Sequence, residues 1–134
     1  MTELKQPAAG KFKLVYWNIR GMAQPIRHLL EYLGLPYDDI HLNSDNPNNW
    51  FRDAFEAIRW KCLFPNIPYL EDEGFVLSEP IAICKYLCRK VGRNDLLGTS
   101  IEDRARVDEL LAKHVGHCLK LSELFKKDFL QSCE

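Results

Sequence analysis

LVYWNIRGMAQPIRHLLEYLGLPY, residues 14–37, reads as a strand ending in an aromatic pair, then a short loop, then a helix. Residues 11–17, KFKLVYW, alternate with a period of two, so Leu14 and Tyr16 share one face while Val15 and Trp17 share the other. Pro25 falls in the first turn of the next segment, where its missing N–H has no helical partner to lose. Ile26, Leu29, Leu30 and Leu33 recur at i, i+3, i+4 and i+7, which predicts a helix over 23–33 with Gly34 as its stop. Residues 37–42 supply a second strand.

A second stretch, FPNIPYLEDEGFVLSEPIAICKYL at 64–87, repeats the economy of the first. Strands at 67–71 and 75–77 flank Asp72, Glu73 and Gly74, a hairpin signal. Pro80 opens a helix over 80–91, with Ile81, Cys84, Cys88 and Val91 on one face. Between the two stretches, 43–49 is an Asn-rich loop, and 50–60 places Trp50, Phe51, Phe55 and Ile58 in a looser helical pattern. The order βαβ, short helix, ββ, α predicts an α/β domain over 11–92, a thioredoxin-like sandwich on a mixed four-stranded sheet.

Residues 1–10 read as a flexible leader and 93–99 as a linker, followed by a helical segment over 100–134. Ser100 is placed to cap that segment, with Asp103 three residues on. An apolar stripe runs through Val107, Leu111, His114, Cys118, Leu121, Phe125 and Phe129 in steps of four and three. This predicts one long helix, or two divided near Gly116 or Lys126. Its face exceeds what the first domain alone covers, and such a stripe calls for a partner, the alternative being that it folds back on its own domain.

A net charge of −1 leaves no electrostatic footprint for nucleic acid. No apolar run reaches bilayer length, and the leader has no signal-peptide core. Five cysteines, an odd number without paired spacing, point to reduced thiols in a cytoplasmic setting. His114, His117 and Cys118 lie close in sequence, but three groups fall short of a closed structural zinc site, so no metal is expected. No Cys-x-x-Cys follows the first strand, which excludes thioredoxin-type redox chemistry.

The two quoted stretches resemble the glutathione-binding half of mu-type glutathione transferases. By that resemblance Tyr16 donates a hydrogen bond to the sulfur of glutathione. A free thiol of pKa ~8.5 is mostly protonated at neutral pH, and a phenol donor favours its anion, which attacks an electrophile. The resemblance also assigns Trp17 to the glycyl end of the ligand, Met22 to the cavity, and Trp50, which matches the family's tryptophan after the second strand, to glutathione binding. Ile67 and Pro68 take the cis-proline turn that meets the cysteinyl backbone, and Glu79 meets the ligand's amino group. Phe64, Arg89 and Asp108 match positions of subunit contact.

Three positions depart from the family pattern. Pro80 stands where the family has a serine whose N–H and hydroxyl hold the γ-glutamyl carboxylate, and Pro80 can donate neither. Ala54 falls at the spacing of a ligand-binding lysine, with Arg52 and Arg59 as possible substitutes and three extra residues between Trp50 and Phe64. Gly116 replaces an aspartate that reaches the neighbouring subunit's ligand. The chain also stops before most of the family's second domain. These departures imply weak or absent glutathione binding and a non-catalytic assembly module, in a homodimer or larger complex held by the 107–129 stripe and Phe64. The alternative is a working transferase that uses Tyr16.

Overall fold

The computed structural model describes residues 12–46 and 48–131, with side chains described through Lys120, so the leader lies outside the described residues. It forms two compact units that part between Leu96 and Leu97. In the first, β1 (Phe12–Trp17) leads through a single 3-10 turn, Gly21–Ala23, into α1 (Gln24–Tyr32) and then β2 (Tyr37–Leu42). A π-helical stretch, Asn49–Ala54, runs into α2 (Phe55–Ile58). The hairpin β3 (Tyr69–Asp72) and β4 (Phe75–Ser78) precedes α3 (Pro80–Lys90), and a 3-10 turn, Asn94–Leu97, lies where the sequence suggested only linker.

The sheet order is β2-β1-β3-β4. β1 pairs parallel with β2, setting Val15 beside Ile40, and antiparallel with β3, setting Val15 beside Tyr69. The mixed four-stranded sheet is the one expected.

The alternation in β1 builds two cores. Phe12, Leu14 and Tyr16 pack on one face with Ile26 and Leu30 of α1 and Ile83 and Leu87 of α3. Val15 packs on the other with Leu42, Trp50, Ile58, Tyr69 and Val76. Trp17 and Ile67 contact both clusters at the end of the strand. Leu30, Ile83 and Leu87 are wholly buried, each contributing about 1.5–3 kcal/mol from apolar area alone.

Two sequence expectations are corrected in detail. The third strand begins at Tyr69 rather than at 67, because Pro68 has no N–H for a ladder and the Ile67 N–H donates to Asn66 Oδ1 at 2.9 Å. The helix expected over 50–60 is a π-helical stretch followed by one α-turn, with Trp50 buried and Phe51 and Trp60 exposed. Wider i→i+5 winding holds Trp50 inward while taking up extra chain length.

Asp72, at the end of β3, is 4% exposed. Its carboxylate accepts from the Tyr86 hydroxyl at 2.6 Å and from the Lys90 ammonium, which ties the hairpin to α3. Lys90 also lies over the rings of Phe12 and Tyr86. A buried carboxylate must keep such partners, since losing them strands its charge away from water.

In the second unit α4 (Ile101–Gln131) is continuous through both Gly116 and Lys126, so the break considered for this segment is absent. The expected cap is present: Asp103 N–H donates to Ser100 Oγ at 3.0 Å and Ser100 N–H to Asp103 Oδ2 at 3.3 Å. Asp103 is held below the usual carboxylate range by hydrogen bonds from Thr99 and then Ser100. No helix among the described residues is long and apolar enough to cross a membrane.

Tyr86→Phe is expected to lower unfolding free energy in urea by about 2 kcal/mol, the worth of a hydrogen bond to a charged group. The Lys90 pKa is raised, first by its hydrogen bond to Asp72. The Tyr86 pKa is raised too, first by burial. Both contributions are complete below the unfolded-state values of about 10 and decline as pH climbs through the raised folded values. The difference in urea midpoint between the parent and Lys90→Met should therefore hold steady from pH 7 to 9 and shrink above about pH 10.

Candidate functional site

The C-terminal end of β1 carries the aromatic pair. Tyr16 is buried to 8% exposure, and its hydroxyl oxygen accepts from the Met22 N–H at 3.4 Å. Because the oxygen is the acceptor there, the phenolic proton remains to be donated elsewhere. The loop that delivers Met22 depends on Gly21, whose φ is +40°. A Cβ at Gly21 would come within 2.9 Å of the Tyr16 ring and hydroxyl. Only glycine fits both the backbone and the space.

Trp17 is half-buried, and Met22 packs on the first core. Trp50 is 7% exposed, with its ring edge-to-face against Phe55 at 5.8 Å. It is primarily a packing residue of the second core. Ala54 is half-buried in the same cluster. Arg59 pairs with Glu56 at 2.9 Å and stacks on Trp60 at 4.5 Å, and Arg52 is exposed.

The peptide bond Ile67–Pro68 is cis. The loop before it is fastened by Ser78, whose hydroxyl donates to the Phe64 carbonyl at 2.5 Å. Asn66 and Ser78 were not singled out from the sequence, since neither belongs to an apolar period or a cap. Ser78 directly precedes Glu79 at the hairpin's exit, the one hint available.

Glu79 is exposed and adopts φ +73° and ψ +116°, a rare conformation for a non-glycine residue. Its side chain makes no cap bond, and its carbonyl accepts the Ile83 N–H at 3.0 Å. Pro80 occupies the first helical position. The helix N-terminus thus offers the N–H groups of Ile81 and Ala82 but nothing from residue 80.

Residues 12–89 match the family described as the N-terminal domain of glutathione S-transferase. The chain belongs to the glutathione S-transferase family. It is 42% identical over 95 residues to a class-mu 26 kDa glutathione S-transferase of Fasciola hepatica, covering 71% of this chain and 41% of that one. It is 41% identical over 102 residues to glutathione S-transferase Mu 1 of Oryctolagus cuniculus, covering 72% and 44%. The solved glutathione S-transferase of Ascaris lumbricoides superposes with a TM-score of 0.62 at 28% identity, over 87% of this chain and 51% of that one. The chain therefore spans less than half the length of these two mu-class relatives.

Within this transferase homologue the subunit-contact candidate Phe64 is 68% exposed, beside Leu63 at 85%. On α4, Val107, Leu111 and Cys118 are half-buried together with Val115, whereas His114 is exposed. Leu121, Phe125 and Phe129 have no described side chains. Cys118 Sγ lies 3.5 Å from His114 Nε2, and among the described residues no three potential metal ligands converge.

Cys62, Cys84 and Cys88 are buried thiols. Burial, then neighbouring Cys88, pushes the Cys84 pKa up to about 12, and burial also raises Cys88. Among these four cysteines, iodoacetamide at pH 8 should therefore modify Cys118 first and Cys84 last, as peptide mass spectrometry of quenched time points will show. Gly21→Ala should cost about 1–3 kcal/mol of stability, from backbone strain and displacement of Tyr16. A shifted Tyr16 ring signal in the NMR spectrum would accompany that loss; an unchanged one would mean the loop relaxes without touching the tyrosine.

Proposed function

We propose that this chain is a glutathione-transferase homologue with an impaired glutathione site, serving as a structural or assembly module in a dimer or larger complex. The observation that carries this reading is Pro80 at the first position of α3. The family resemblance places the γ-glutamyl carboxylate of glutathione there. The residue that would meet it has neither an N–H nor a hydroxyl. Two missing hydrogen bonds to a charged group, at about 1.5–3 kcal/mol each, weaken binding by roughly 10²–10⁴-fold. Ala54 and Gly116 remove two further polar partners that the resemblance implies.

Exposed apolar side chains support the assembly role. Phe64, Leu63, Trp60 and Phe51 are all more than two-thirds exposed on the segment between β2 and β3. The stripe on α4 is the second surface. Buried or half-exposed thiols without disulfides among the described residues support a cytoplasmic setting, and no metal enters this reading.

A second reading is favoured by the tyrosine itself. Tyr16 accepts from Met22, keeps its own proton to donate, and has Gly21 seated against its ring. In a working transferase that proton would go in a hydrogen bond to glutathione sulfur, favouring the thiolate that attacks an electrophilic carbon and expels its leaving group. Ile67 would meet the cysteinyl backbone once Asn66 Oδ1 gives way, with Trp17, Met22, Trp50 and Glu79 completing the cradle.

Calorimetric titration of glutathione into the purified chain separates the two. The assembly reading expects little or no heat from the parent and restored binding, tighter by about 10²-fold or more, in Pro80→Ser. Low-micromolar binding by the parent, with turnover of an aryl halide lost in Tyr16→Phe, would replace it with the enzymatic reading.

A further inference from the structure

Two potential metal ligands converge on α4. Cys118 Sγ lies 3.5 Å from His114 Nε2, in an exposed setting. Their i, i+4 spacing sets both on one helix face, in a row with Leu110 one turn earlier. Zn–N and Zn–S bonds of about 2.0 and 2.3 Å that meet at a tetrahedral angle hold the nitrogen and sulfur about 3.5 Å apart. The pair thus already has the edge length of a zinc tetrahedron, and little movement of either side chain lets both reach one ion.

One chain supplies only half of the four ligands that a closed zinc site takes. Leu110, Leu111 and Val115, three or four positions from one ligand or the other, bring no donor. His117 follows within one turn of His114, yet among the described residues no three His, Cys, Asp or Glu side chains converge. The missing half must come from outside the helix.

The face around the pair is apolar. Leu110 is 69% exposed, and Val107, Leu111 and Val115 are half-buried on the same side of α4. Such a face is covered by another apolar face, and a two-fold contact sets the same patch on both sides. Two copies of this face bring together two imidazoles and two thiols, a complete tetrahedral set.

We propose that His114 and Cys118 form a zinc half-site, completed by the same two residues of a second copy of this chain. The proposal rests on the assembly reading and gives that assembly its partner, a second copy, and its ion. On binding, each Cys118 thiol releases its proton to solvent and ligates as thiolate, and each neutral imidazole ligates through Nε2. This nitrogen and sulfur set favours zinc over magnesium or calcium, which take oxygen ligands. Because the ion holds two chains at once, its binding stabilises the pair by mass action.

The test is sedimentation equilibrium of the full chain, stripped of metal and kept reduced by a phosphine, alone, with zinc, or with magnesium. Zinc is expected to tighten self-association about tenfold or more, with one ion bound per two chains, and magnesium to leave it unchanged. Cys118→Ser and His114→Ala should each remove the zinc effect, and His117→Ala should keep it. Cobalt(II) in place of zinc should give a sulfur-to-cobalt charge-transfer band that Cys118→Ser loses. The proposal is overturned by one ion bound per monomer, or by a zinc effect that survives Cys118→Ser. A dimer that zinc leaves unchanged overturns it and spares the assembly reading. A chain that stays monomeric throughout overturns it and removes self-association from that reading as well.

Discussion

Everything in the first unit depends on β1 being covered on both of its faces. A strand that is hydrogen-bonded on both edges has no way to leave water except by burying both sets of side chains. The Leu14 face needs α1 and α3, and the Val15 face needs Trp50 and the short helix beyond it. The βαβ crossover and the hairpin are the two connections that deliver those layers. The chain then emerges from the sheet at Trp17, where both cores end. The aromatic pair, the cis-proline loop and the Glu79 turn are therefore gathered by the same burial that builds the fold.

Legibility followed the strength of each local signal. β2 and the start of α3 were readable to the residue, because Tyr37 follows Pro36 and Pro80 can stand only at a helix start. The Ser100–Asp103 cap was readable because both partners lie within one turn. The π-helical stretch was not: Trp50, Phe51 and Phe55 fit a loose α pattern, and the sequence gives no sign of which ring turns inward. The 3-10 turn at Asn94–Leu97 was missed because such turns carry no apolar period.

The candidate site was legible unevenly for the same reason. Tyr16, Ile67, Pro68 and Glu79 could be named by resemblance; Tyr16 lies near the end of β1, Ile67 and Pro68 in the loop before β3, and Glu79 at the turn into α3. The bond from Ser78 to the Phe64 carbonyl and the Arg27–Asp39 pair depend on contacts between different elements, whereas Asn66 acts on its own neighbour Ile67 and carries no periodic signal. Trp50 was named as a glutathione-binding residue by resemblance, and its ring packs in the second core. A sequence reading finds residues that act through their own backbone or position; it misses those defined by what they touch.

Pro80 has a consequence for how this chain tolerates change. Proline is welcome at the first position of a helix, and the residue before a proline avoids the α region, which Glu79 already does. Exchanging a serine for proline there leaves helix, hairpin and both cores undisturbed, so folding is blind to it. A protein can cross that step in either direction without passing through an unstable intermediate. The identity of residue 80 is thus decoupled from the fold, and only demand for the ligand can hold it to one choice.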